Sequence, residues 1–305
     1  MHHIRQLQCV EALEATGHFG RAADRLGITQ SALTQSIQKL EEYYEVSLFV
    51  RDRRQITPTP FGEIIVERAR EALQSIATAD REIELMRNLE TGHLMVGVDP
   101  FVSGSLLAPA LSKMLTVHPH LRFSVRTGDW HTFKASLLER KIDLYVGFTQ
   151  LSSDDPRVNL KRLSMPPPIP VCGPTHKLAG KRNIPLDVLL QHPIVSPSPP
   201  DWFLDWAASE GSGRTVEDIR APFFLVADDL HLVKEIVKHG HALTAALPGD
   251  LEIEIKNKLL LPIEVKNWPK ETPISLATLS GRPLPPAASL LAEEITKTAK
   301  AMPPA

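Results

Sequence analysis

The 305-residue chain holds two cysteines, Cys9 and Cys172, far apart and each inside an apolar run. A disulfide framework is excluded, and buried thiols in a reducing compartment are expected. No apolar run approaches the roughly 18 residues that span a bilayer, and the N-terminus lacks the continuous apolar stretch of a signal peptide. The expected location is the cytoplasm, with no membrane partner. An excess of one charge is also missing: 34 Lys and Arg stand against 36 Asp and Glu, a net of -2. Attraction to a polyanion must therefore come from local placement. No G-x-S-x-G, strand-borne G-x-G-x-x-G, phosphate loop or C-x-x-C is present, so neither an enzyme nor a cofactor is expected. The pairs His118/His120 and His239/His241 each lack a third ligand and read as surface histidines, with no metal. What is present is ordinary globular material, 43% apolar and 23% charged, long enough for two or three domains.

Residues 4–16 place Ile4, Leu7, Val10 and Leu13 at helical steps, ended by Gly17. Residues 20–26 form a second short helix closed by Gly27, and Thr29 is the expected N-cap of a third over residues 31–45. In that third helix Ala32, Leu33, Ile37 and Leu40 form the inward stripe, leaving Gln30, Ser31, Thr34, Gln35, Gln38 and Lys39 outside. Residues 48–57 read as a small basic wing carrying Arg51, Arg53 and Arg54. From 59 to 90, Ile65, Ala69, Ala72, Ile76, Ala79, Ile83 and Met86 recur at alternating steps of four and three. That is a heptad seam on a long helix, and a homodimer is the economical expectation.

Beyond residue 91 the period changes to alternating strands and helices: strand 94–98, helix 105–117, strand 121–125, helix 133–139, strand 143–148. Proline clusters at 166–170 and 197–200 interrupt a second series with strands near 169–172, 193–195, 221–226 and 242–247 and a helix at 230–239. A last strand at 274–279 and helix at 287–299 return to the first lobe, so two α/β lobes around a cleft are expected.

Three helices with a polar third make a helix-turn-helix, whose third helix suits the major groove: Gln bonds adenine, Ser and Thr meet bases or phosphates, and Lys and Arg neutralise phosphates. Residues 1–62 carry seven basic and seven acidic side chains, so a plain protein-binding helical domain remains an alternative on charge alone. A solute-binding protein whose helices serve only oligomerisation is another.

The run from His18 to Glu63 resembles the winged helix-turn-helix signature of LysR-type transcriptional regulators, through Ala22-Ala23, Leu26, Gln30-Ser31-Ala32, Ile37, Leu40-Glu41, Leu48-Phe49, Arg51, Thr59 and Gly62. The resemblance implies an α/β protein with an N-terminal all-α winged helix-turn-helix at 1–58 and a long linker dimerisation helix at 59–90. A two-lobed effector-binding domain similar to periplasmic solute-binding proteins follows at 91–305. Lobe I takes about 91–164 and 269–305, and lobe II about 165–268. Implied partners are double-stranded DNA at a pseudo-palindromic promoter site, a small-molecule effector, a homodimer or homotetramer, and RNA polymerase. DNA contacts are carried over to Gln30, Ser31, Thr34 and Gln35 and to the wing arginines, Arg53 reading the minor groove. Gln35, Glu45 and Pro58 stand where the family usually has Arg, Gly and Leu, so base preference and wing shape are expected to differ. Ala242 stands where a second Gly is usual, which implies a less close backbone approach to ligand.

Ligands of open α/β sheets sit at the carboxyl ends of strands. The candidate effector contacts are therefore Phe101, Val102, Ser103 and Ser105 after the first strand; Gly128, Asp129 and Trp130 after the second; and Thr149 and Gln150 after the third. Lobe II adds Ser196, Pro197, Ser198, Trp202 and Thr244. Asp99 and Asp129 would repel an anion unless they point away, which favours a neutral, aromatic or amine-bearing effector. Phe101, Trp130 and Trp202 could supply a stacking wall.

Overall fold

A computed structural model describes residues 4–51, 55–87, 92–149, 155–210, 213–281 and 283–302. They fall into two compact units, Met1–Ile83 and Glu84–Ala305. The first unit opens with three helices whose ends obey their capping residues. Helix α1 (Ile4–Thr16) stops at Gly17. Helix α2 (Phe19–Leu26) is capped by the His18 ring, which accepts from the Gly20 and Arg21 amides, and ends at Gly27 with φ 62°. Thr29 accepts from the Ala32 amide to start α3 (Gln30–Tyr44), which terminates at Glu45 with φ 56°. Strands β1 (Phe49–Arg51) and β2 (Ile56–Pro58) pair antiparallel as the wing, anchored where the Glu41 carboxylate accepts from the Leu48 and Phe49 amides. The expected inward stripe of α3 needs one correction. Leu33, Ile37 and Leu40 are buried, but Ala32 is exposed because it points about 100° away from Leu33 around the helix, off the stripe that meets the core.

Helix α4 (Pro60–Arg87) follows. Its first turns complete the helical core: Val66 and Ala69 are buried with Cys9, Leu13, Ile37 and Leu48, and Ile65 packs against the same cluster.

The second unit contains two five-stranded sheets. In lobe I the order is β4-β3-β5-β12-β6, from β3 (His93–Val98), β4 (Arg122–Thr127), β5 (Leu144–Phe148), β6 (Val158–Arg162) and β12 (Ile274–Leu279). β3 is parallel to β4 and β5, and β12 is antiparallel to β5 and β6. In lobe II the order is β11-β7-β10-β8-β9, from β7 (Ile169–Cys172), β8 (Ile194–Ser196), β9 (Phe223–Val226), β10 (Leu243–Ala246) and β11 (Leu261–Pro262). The first helix of lobe I starts five residues before its expected position. Asp99 caps α5 (Pro100–Val102), which continues through a π-helical turn (Ser103–Leu107) into α6 (Ala108–Val117). Helix α7 (Trp130–Leu138) likewise begins early, capped by Asp129, and α13 (Pro286–Ala301) closes the lobe. Lobe II adds α8 (Leu186–Leu189), α9 (Asp201–Glu210), α10 (Val216–Arg220), α11 (Leu230–His239) and α12 (Pro248–Lys256). Both sheets carry buried apolar residues on both faces, as a mostly parallel sheet requires.

Candidate functional site

Two surfaces carry the chemistry. On the first unit, core contacts claim one stripe of α3 and leave Gln30, Ser31, Gln35, Gln38 and Lys39 exposed, with Thr34 half-buried. Two hydroxyls on this face are already engaged: Ser31 Oγ lies 3.0 Å from Thr29 Oγ1, and Thr34 Oγ1 donates to the Gln30 carbonyl at 2.9 Å. The Gln30, Gln35 and Gln38 amides and the Lys39 ammonium of this face are exposed, with no hydrogen-bond partner among the described residues. Arg51 lies on β1, while its side chain and the whole of Arg53 and Arg54 lie outside the described residues.

The second surface is the cleft between the lobes, where the carboxyl ends of β3, β4, β5 and β8 converge with α9. Its inner part is a cavity of about 60 Å³, walled by Phe101 and Phe148 from lobe I and by Ser196, Trp202, Phe203, Thr244 and Trp268 from lobe II. An outer cavity of about 200 Å³ shares Phe148 and Trp202 and adds Asp99, Asp129, Trp130, His131, Thr149, Ser198, Asp201 and Arg220. The Trp202 ring centroid lies 5.5 Å from that of Phe148, which is 5.5 Å from Phe101, and Trp202 also packs on the lobe I core. His131 of α7 meets Asp201 of α9 at 2.9 Å, a polar contact across the cleft mouth.

Of the expected effector contacts, Phe101, Asp129, Trp130, Thr149, Ser196, Ser198, Trp202 and Thr244 line one of these cavities. The others do not. Val102 is fully buried in the lobe I core. Ser103 donates to the Pro100 carbonyl, and Ser105 faces Asp250 and Gly249 of α12, because the early helix start carries both onto the π-helical turn. Gly128 packs on Phe133, and Pro197 is buried away from both cavities. Gln150 lies outside the described residues. Ala242 belongs to the lobe II core and lines neither cavity. Sequence reasoning missed Phe148, Phe203, Trp268, His131, Asp201 and Arg220. The aromatic spacing of Trp202, Phe203 and Trp206 was the available signal for α9; in the fold Phe203, Trp206 and Trp268 form one cluster with centroids 5.4–5.7 Å apart.

The acids of the cleft are tied to their own backbone. Asp129 accepts from the Thr132 amide, and Asp99 accepts from the Phe101 amide and, at 3.4 Å, from the Tyr145 hydroxyl. Burial pushes the Asp99 carboxyl up to about 7 in spite of these bonds, and the nearby Asp129 charge adds to the rise. Burial also raises Tyr145 and, in α12, takes Asp250 up to about 6. Among the described residues no set of three His, Cys, Asp or Glu converges to hold a metal, and no helix is long and apolar enough to cross a membrane.

Residues 4–63 match the bacterial regulatory helix-turn-helix protein of the lysR family, and residues 87–300 match the LysR substrate binding domain. The chain belongs to the LysR family. It is a transcriptional regulator that pairs a DNA-binding helix-turn-helix with an effector-binding domain, and the family is not enzymatic. Over its whole length this LysR-family regulator is 28% identical to the SDS degradation transcriptional activation protein of Pseudomonas sp. (strain ATCC 19151), covering 99% of that protein. It is 26% identical to the regulator CfxR of Cupriavidus necator over 93% of this chain and 88% of that one. Full-length CbnR solved with its target DNA shares the fold, with a TM-score of 0.70 at 18% identity, over 97% of this chain and 99% of that one.

Proposed function

We propose that this LysR-family regulator binds a pseudo-palindromic promoter site as a cytoplasmic homo-oligomer, reading bases with Gln30, Gln35 and Gln38 of α3 and neutralising phosphates with Lys39, Arg51, Arg53 and Arg54. Ser31 and Thr34 supply secondary contacts: Thr34 gives its proton to the Gln30 carbonyl and offers oxygen lone pairs, while Ser31 shares with Thr29 one hydrogen bond in which either hydroxyl can donate. The observation that carries the reading is the division of α3: one stripe is spent on the core, and the opposite face presents amides to solvent with no partner in its own unit. Exposed amides offer the bidentate donor and acceptor that adenine requires, and the CbnR complex with DNA supports this orientation by analogy of fold.

The oligomer is proposed to form through α4. Ile76 and Ile83, 36% and 55% exposed, continue the seam with Ala72 and Ala79 after the turns used by the unit's own core. Ile65 and Ala69 are therefore reassigned to that core, and the Met86 side chain lies outside the described residues. In the cleft, a small molecule held by Phe101, Trp202, Ser196 and Thr244 would stabilise the closed lobes, with Asp129, Trp130, Thr149 and Ser198 at the mouth. Closure biases the arrangement of the DNA-bound oligomer presented to RNA polymerase.

The test is a titration of the full-length protein against the DNA upstream of its own gene, with random duplex as competitor. Gln30→Ala or Gln35→Ala should cost roughly 1–3 kcal/mol on the specific site and little on random DNA. Equal loss on both would remove the base-reading role.

A further inference from the structure

The wall of the inner cavity is almost wholly apolar. None of its described wall residues is Lys, Arg, His, Asp or Glu. A carboxylate or ammonium moved into such a wall loses its water and gains no counter-charge. Two polar atoms on the residues of this wall nevertheless lack partners: Thr244 Oγ1, on a residue only 2% exposed, and Trp202 Nε1, both buried without a hydrogen bond. Buried polar groups are normally paired, so each such orphan calls for a missing partner. A hydroxyl can donate and accept, while an indole N–H only donates, and one ligand oxygen can answer both.

The outer cavity argues against an anion independently. It presents Asp99, Asp129 and Asp201 against one Arg and one His, and both of these side chains already turn to Asp201, His131 at 2.9 Å and Arg220 at 4.0 Å. Size sets a further limit. At the ~30 Å³ that a water occupies in the liquid, 60 Å³ is the space of about two waters, so the inner cavity takes the oxygen-bearing end of a slender ligand whose remainder extends past Phe148 and Trp202 into the outer cavity.

We propose that the effector is an uncharged molecule with a slender apolar body and one hydroxyl or carbonyl oxygen. The body lies against Phe101, Phe148 and Trp202, and the oxygen pairs with Thr244 Oγ1 and the Trp202 indole N–H. This rests on the reading of the cleft as the effector site. It makes Thr244 and Trp202 the specificity-determining pair, because a site with unanswered donors rejects an analogue that cannot pair them.

Three probes of one carbon skeleton test the class: hexan-1-ol, hexanoate and hexylamine, each titrated into the full-length protein at neutral pH. Tryptophan emission and melting temperature report binding. Hexan-1-ol should alter the emission and raise the melting temperature, while the two ions require at least about tenfold higher concentration. Thr244→Val replaces the hydroxyl with a methyl of similar shape, so the ligand-free protein should melt at or above the wild-type temperature, yet bind hexan-1-ol about fivefold or more weakly. Failure of hexan-1-ol to bind, binding of either ion at equal or lower concentration, or an unchanged affinity in Thr244→Val overturns the proposal. A parallel DNA-binding titration separates the two readings. Alcohol binding that depends on Thr244 but leaves the DNA complex unaltered would sink the effector role of the cleft and leave the ligand class standing.

Discussion

Glu45 ends α3 in the left-handed region, φ 56°, where a glycine would carry no Cβ penalty. Glu45→Gly should stabilise the first unit by roughly 0.5–1 kcal/mol in denaturant unfolding, part of the strain relief being offset by glycine's unfolded-state entropy. Gly62 is the opposite case. A Cβ there would collide with the Leu48 carbonyl oxygen, where the wing crosses the start of α4. Gly62→Ala should therefore cost roughly 2 kcal/mol or more and weaken DNA binding by displacing the wing. Asp99 gives a pH signature. Its folded carboxyl titrates at about 7 against 3.8 for an ordinary aspartate. Because the folded value is raised, its stabilising contribution is complete below 3.8 and is lost as the pH climbs through about 7. Asn keeps a capping oxygen and never ionises, so Asp99→Asn should melt later than wild type at pH 8, by roughly 2–4 kcal/mol of stability. The gap should close toward pH 4, and a gap that stayed constant with pH would defeat the assignment.

The elements differ in how plainly the sequence announced them. The ends of α1, α2 and α3 were legible because Gly17, Gly27 and Thr29 are stop and start signals whose chemistry is local. Helices α9 and α12 were not. The first follows the run Pro197–Pro200, which reads as a break, and the second alternates Leu251-Glu252-Ile253-Glu254-Ile255, which lacks a helical period. Both are held by tertiary packing instead: Leu204 and Ala207 anchor α9, while Leu251 anchors α12 in lobe II. The same reasoning splits α4. Ala69→Asp buries a charge in the helical core and should unfold the first unit, whereas Ile76→Asp or Ile83→Asp meets solvent in the protomer and should leave helix content intact. Analytical ultracentrifugation should find these last two variants shifted toward monomer. An unchanged oligomer would move self-association off α4.

At the scale of the whole molecule the protein is a coupling device, and coupling is reciprocal. If a cleft ligand changes DNA affinity by some factor, bound DNA must change ligand affinity by that same factor. Measuring both constants on the full-length chain should give matching ratios, and unequal ratios would mean that the ligand acts at more than one site. A net charge of -2 predicts that DNA attraction is local to α3 and the wing. Replacing Lys39 by Ala should then lower the slope of log K against log salt by about 1 for each protomer in contact, with little change in base preference.

The sequence by itself determined the family, the three-helix unit and its caps, the polar face of α3, and the alternation that builds two α/β lobes. These are written in periods and caps spanning fewer than about 20 residues. Tertiary structure decided the rest. Ala69 became core because it packs in one cluster with Cys9, Leu13, Ile37 and Leu48, and Ser103 bonded back to Pro100 while Ser105 turned toward α12 because Asp99 starts their helix at Pro100. The cleft wall joins Phe101 and Phe148 to Trp202, Thr244 and Trp268, segments brought together only when the chain leaves lobe I after β6 and returns at β12. No local pattern encodes such neighbours, since what selects them is the burial of surfaces that meet only in the folded chain.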